Sequence, residues 1–206
     1  MTRRLSARVG LAALVVSVCA GCAAAGRPGE ASSYLIVESM AAASGARPDT
    51  FGGTLASDVL TLVNTTINGT QVRVPTVYED LGRVSLRVAM KDPTALISPA
   101  SFITVRRYRV TFTRTDGRNT PGVDVPFAFE GALTLTAGAE SASVAFTLVR
   151  IQAKSEAPLL ALVGGGGAIA ISTLAQITFY GTDQAGREVV ATANISVNFA
   201  DWGDPE

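Results

Sequence analysis

Little in this chain can act as an acid, a base or a nucleophile. Its 206 residues include no histidine and only two cysteines, Cys19 and Cys22. Without histidine, Ser-His-Asp and Cys-His systems lose their proton shuttle, and zinc sites lose a principal ligand. Serine-lysine chemistry needs a desolvated lysine. Only Lys91 and Lys154 exist, and Lys154 is followed directly by Ser155. Adjacent side chains diverge on an extended backbone, so Lys154 reads as a solvated lysine beside a loop serine. Glu79 and Asp80 are neighbours too, whereas glycosidase carboxylates face each other across a sugar. They read as a structural turn at the start of a strand. The expectation is a protein that is not an enzyme and carries no cofactor.

Binding chemistry has more material. Asp116, Asn119 and Asp124 lie in one loop, TDGRNTPGVDVPF, and calcium takes several oxygen ligands from such loops. The competing role for Asp116 and Asn119 is turn formation through side-chain to backbone hydrogen bonds. Asp183, Asp201 and Asp204 are further oxygen donors near turns or the C-terminus. Arg83, Arg87, Arg107 and Arg109, with Arg114, would share an outward face if their two strands pair. Such a stripe would meet a partner's carboxylates or an anionic envelope polymer, or else serve only as a wet face that resists edge aggregation. Trp202, the only tryptophan, is expected to close one end of the fold.

These groups need elements to hold them, and the dominant signal is a period of two. Val84, Leu86, Val88 and Met90 alternate with polar residues. Tyr108, Val110 and Phe112 do the same, as do Val144, Phe146 and Leu148, and Ile195, Val197 and Phe199. Each pattern predicts a strand with one buried and one wet face. Weaker strands are expected over 34–40, 58–63, 71–78, 127–136 and 174–180. Asn68-Gly69, Asp116-Gly117, Pro121-Gly122 and Asp183–Gly186 supply turns. Short helix is expected only at 41–43 or 158–163. Residues 157–182 carry no charge, but Gly164–Gly167 break any spanning helix, so a glycine-rich loop followed by a buried strand is expected. The fold class is then all-β: a single antiparallel β-sandwich of eight or nine strands, immunoglobulin-like in architecture.

The N-terminus has the layout of an export signal. Arg3, Arg4 and Arg8 precede an apolar run, Val9–Val18, too short to span a membrane in the ordinary way. Then comes Cys19-Ala20-Gly21-Cys22, which resembles the lipobox of bacterial lipoproteins, with Cys19 where leucine is usual. That resemblance implies cleavage after Gly21 and lipidation of Cys22. It divides the chain into a signal peptide (1–21), a lipidated flexible tether (22–32) and the β-sandwich (33–206). Ala23 is not the aspartate that retains such proteins in an inner membrane, which implies the outer membrane in a two-membrane host. Three of the 17 basic residues fall in the leader, leaving 14 against 17 acidic ones. This small acidic surplus argues against nucleic-acid binding.

The stretch from Tyr108 to Phe127, YRVTFTRTDGRNTPGVDVPF, resembles part of a group of uncharacterised predicted bacterial lipoproteins. The similarity extends from about Ser33 to the C-terminus and implies export and a β-sandwich, with no assigned activity. The functional expectation is a membrane-anchored envelope module that binds a protein partner or supports an assembly. The alternative is a lipoprotein that binds a glycan or a small ligand.

Overall fold

The computed structural model describes residues 30–204. The expected signal peptide and Cys22 lie outside the described residues. Ten strands follow one another: β1 (Ser33–Ala43), β2 (Thr54–Asp58), β3 (Thr61–Ile67), β4 (Thr70–Thr76), β5 (Asp80–Met90), β6 (Ile103–Thr113), β7 (Phe129–Ala137), β8 (Ala142–Val149), β9 (Ile171–Asp183) and β10 (Glu188–Ala200). They form a three-stranded sheet, β1-β5-β8, a five-stranded sheet, β2-β10-β9-β6-β7, and a separate hairpin, β3-β4. The fold is all-β and sandwich-like. Every pairing is antiparallel except β2 against β10, which is parallel.

The period-two segments bury the faces that their patterns predict. Along β9, Ile171, Thr173, Ala175, Ile177 and Phe179 are buried, while the residues between them face outward. The core fills the space between the two sheets. Tyr108 of β6 meets Phe146 of β8 with ring centroids 4.8 Å apart, and Phe146 meets Phe179 of β9 at 5.6 Å. Edge-to-face packing of this kind adds about 0.5–1.5 kcal/mol per pair to the burial itself. It also locks one sheet onto the other.

The differences from expectation have local causes. Residues 58–63 are not one strand. The chain turns at Val59 and Leu60, and the Asp58 carboxylate holds the corner by accepting from Trp202 N–H at 3.0 Å and Thr61 Oγ1 at 2.7 Å. Ala41–Ala43 is strand, not helix. Three alanines cannot nucleate a helix, and Ala42 instead exchanges backbone hydrogen bonds with Gly52 at 2.8 and 2.9 Å. The helical expectation at 158–163 corresponds to a 3₁₀ turn, Leu159–Leu162. One further turn of helix, α1 (Ile151–Lys154), had no sequence signal. The end of the expected tether is already fastened: Ala31 is buried, Ser32 C=O accepts from Lys91 N–H, and Glu30 pairs with Lys91 at 3.3 Å.

The glycine-rich loop is a necessity of backbone conformation. Gly164, Gly166 and Gly167 all have positive φ, a region that favours glycine. Gly164 N–H donates to the Asp201 carboxylate at 2.6 Å, and Gly167 lies beside the Trp202 ring.

Candidate functional site

The outer face of the five-stranded sheet is an exposed surface built from regular elements. Strand register lays its residues out in rows. Ala132, Arg107, Tyr180 and Val190 form one row across β7, β6, β9 and β10. Glu130, Arg109, Thr178 and Thr192 form the next. Beyond them lie Thr111, Gln176 and Asn194, then Thr113, Leu174 and Ser196. A β-bulge between Val105 and Arg107 turns both Arg106 and Arg107 to solvent. The Arg107 guanidinium stacks over Tyr180, 4.1 Å from the ring centroid, and pairs with Glu130 at 2.9 Å. Arg109 reaches the same carboxylate at 3.6 Å. Leu174 and Val190 stand exposed on this face. Aromatic and arginine side chains beside apolar ones are the composition of protein-binding patches.

The expected arginine stripe is therefore split. Arg107 and Arg109 lie on this face, but β5 belongs to the other sheet, so Arg83 and Arg87 do not join them. Arg83 lies over the Phe51 ring at 4.0 Å, and Arg87 pairs with Glu38. Arg114 is drawn back onto its own loop by Asp116. Alternation correctly gave Arg83, Arg87, Arg107 and Arg109 outward positions, whereas Arg114 lies past the end of β6. It carried no information about which strands pair.

The loop considered for calcium is woven by arginines. Asp116 accepts from Arg114 at 2.5 and 3.1 Å and from Arg118 N–H at 3.1 Å. Asn119 Oδ1 accepts from Arg114 N–H at 2.6 Å. Asp124 accepts from Arg118 Nε at 3.1 Å and Thr120 N–H at 3.2 Å. The hydrogen bonds to Asp116, led by the Arg114 guanidinium, hold its carboxyl below the usual range. Both carboxylates are paired with arginines, and the Asn119 oxygen with a backbone N–H. Among the described residues, no three acidic, histidine or cysteine side chains gather where they could hold a metal ion. Asp183 is tied to Arg187, and Asp204 to Leu62 N–H and Arg73.

Trp202 is half-buried rather than sealed. Its indole N–H donates to Asn198 C=O at 3.3 Å, and one wall of a cavity of about 290 Å³ is formed by the same residue. Phe51, Arg47, Thr50 and Asp58 also line this cavity, at the end of the sandwich where β2 begins. Asp58 is itself buried. Burial raises the Asp58 carboxyl above the ordinary value, against the opposing hydrogen bonds from Thr61, Trp202 and Leu60.

The reading of Lys154 as solvated is corrected: its side chain is 1% exposed. Its Nζ donates to Asp80 Oδ1 at 2.9 Å. Asp80 is fully buried, although Glu79 beside it is exposed, as alternation requires. Gly45 N–H also donates to Oδ1 at 2.9 Å, and Ser57 Oγ donates to Oδ2 at 2.6 Å. Gly45 can approach because it has no side chain: a Cβ there would stand 2.1 Å from Glu79 C=O. Desolvation pushes the Asp80 carboxyl above its ordinary value, with Lys154, Ser57 and Gly45 pulling the other way. The serine brought to this lysine's partner is Ser57, not Ser155, whose hydroxyl donates to Ile151 C=O.

Compared with known proteins, the chain matches no family model, no curated protein and no solved structure.

Proposed function

We propose that this protein is a lipid-anchored component of a bacterial cell envelope, held by lipid on Cys22, whose sandwich acts as a non-catalytic module that binds a protein partner. The anchor reading rests on the order of basic leader, apolar run and Ala20-Gly21-Cys22. Two or three acyl chains, each methylene contributing about 0.8 kcal/mol, hold a protein firmly at a membrane. Among the described residues, no helix is long and apolar enough to cross one, which leaves lipid as a compatible means of attachment.

The observation that carries the partner reading is the row Arg107-Tyr180-Val190 on an open sheet face, with Arg109 and Leu174 beside it. A photo-crosslinker at Thr192, in the native envelope, is expected to capture one protein at near-equal amount. The same probe at Ser85, on the opposite sheet, should capture little of it. Equal capture from both faces would overturn the assignment of the face. The anchor has its own test: Cys22→Ala protein should lack acyl mass, and retained acyl mass would contradict lipidation there.

The cavity at Trp202 favours a second reading, a small-ligand or glycan binder. Aromatic walls at Phe51 and Trp202 suit the apolar face of a sugar ring, and Arg47 offers an edge donor. Trp202 is the only tryptophan, so its fluorescence reports occupancy directly. Saturable change on titration with envelope oligosaccharides would support this reading, and no change would remove it.

A further inference from the structure

We propose that Lys154 and Asp80 condense into an intramolecular isopeptide bond that staples α1 to the first residue of β5. Four observations carry this. The two groups are in contact, Nζ to Oδ1 at 2.9 Å. Both are sealed from water, with side chains 1% and 0% exposed. Two further donors fix the carboxyl group, Gly45 N–H on Oδ1 and Ser57 Oγ–H on Oδ2. Finally, residues 30–204 contain no cysteine, so no disulfide can crosslink this domain.

The chemistry balances without an added reagent. A proton passes from the Lys154 ammonium to Asp80 Oδ1 along their hydrogen bond, giving a neutral amine and a carboxylic acid. Desolvation favours the protonated carboxyl at Asp80, because burial disfavours its charge and pushes it up. The amine then attacks Asp80 Cγ, and the C–N bond forms. Negative charge develops on Oδ2, where the Ser57 hydroxyl is aimed at 2.6 Å, as a fixed donor does in an oxyanion hole. Oδ1 takes a second proton from Nζ and leaves as water, breaking the Cγ–Oδ1 bond. Oδ2 remains as the amide oxygen. Reacting groups held within about 3–3.5 Å have effective concentrations far above any bimolecular encounter. Exclusion of water protects the product from hydrolysis.

A buried ion pair and a buried amide differ by one molecule of water, which mass spectrometry resolves. The test is a tryptic map of the full-length chain purified from its own host. Condensation blocks cleavage after Lys154 and joins segment 151–187 to segment 74–83. The expected product is one branched peptide, lighter by one water than the sum of the two segments. Separate 74–83 and 151–154 peptides in full yield would overturn the proposal. Lys154→Arg, which keeps the positive charge but cannot form this bond, should restore the separate 74–83 peptide. Because that variant risks misfolding, the wild-type map decides alone.

Discussion

Two ion pairs of equal length sit in opposite surroundings. Lys154 meets Asp80 at 2.9 Å with both side chains sealed, and Arg107 meets Glu130 at 2.9 Å with the two side chains 51% and 43% exposed. In the first, the charges have lost their water and depend wholly on each other and on Gly45 and Ser57. In the second, water and salt compete for both charges throughout. Distance is the same, so burial alone separates a pair that organises the fold from one that decorates a face. A buried pair gains little over a packed apolar pair, but breaking it strands a charge. An exposed pair can be broken with little effect.

The largest effect is therefore expected at the sealed site. Lys154→Met should destabilise the domain by about 3–5 kcal/mol, because the Asp80 carboxyl is left buried without the partner that pairs with it or is bonded to it. Urea unfolding followed by circular dichroism measures this, and an unchanged midpoint would break the comparison. Next comes Asp58→Ala, expected to cost about 1–3 kcal/mol by leaving Trp202 N–H and Thr61 Oγ1 without their acceptor. It should also shift the emission of the lone tryptophan.

Asp183 sharpens the comparison through pH. Burial pushes its carboxyl up, but Arg187 and the N–H groups of Arg187 and Ala185 outweigh this and leave it below the ordinary value. A depressed carboxyl contributes stability that is present above its unfolded value, near pH 4, and is lost as pH falls through its folded value. Asp183→Asn should thus be less stable than wild type at neutral pH. The gap should narrow as pH falls below the unfolded carboxyl's value, about 4. A gap that stays constant would show that charge plays no part at this hairpin. Smallest of all, Glu130→Gln should leave the unfolding midpoint unmoved while weakening capture of the proposed partner, which separates a face that binds from a core that holds.

Much of the framework was legible because alternation is a local signal. Val84, Leu86 and Val88 needed nothing beyond their own spacing to declare a buried face. Asn68-Gly69 marked the β3-β4 hairpin, where both residues have positive φ. What failed was long-range. The Lys154–Asp80 contact spans 74 residues, so local spacing, which does put Asp80 on the buried face, cannot name its partner. The best available clue was scarcity: one of only two lysines stands just before a long uncharged run. The arginine stripe failed for a related reason. β5 and β6 follow each other in sequence and share a pattern, yet each strand joined a different sheet. The corner at Val59 was hidden because its staple, Asp58 to Trp202, also spans the fold.

The place of β10 has a consequence for how such a chain is made. This last strand lies inside the five-stranded sheet, between β9 and β2, one of the earliest. Until it arrives, β2 has no neighbour in that sheet and the Trp202 N–H cannot reach Asp58. A polypeptide emerging from its N-terminus thus cannot finish this sheet early, and pairings between distant segments form slowly in any case. Under the export proposed above, that delay would keep the segment before β10 pliable until β10 itself arrives.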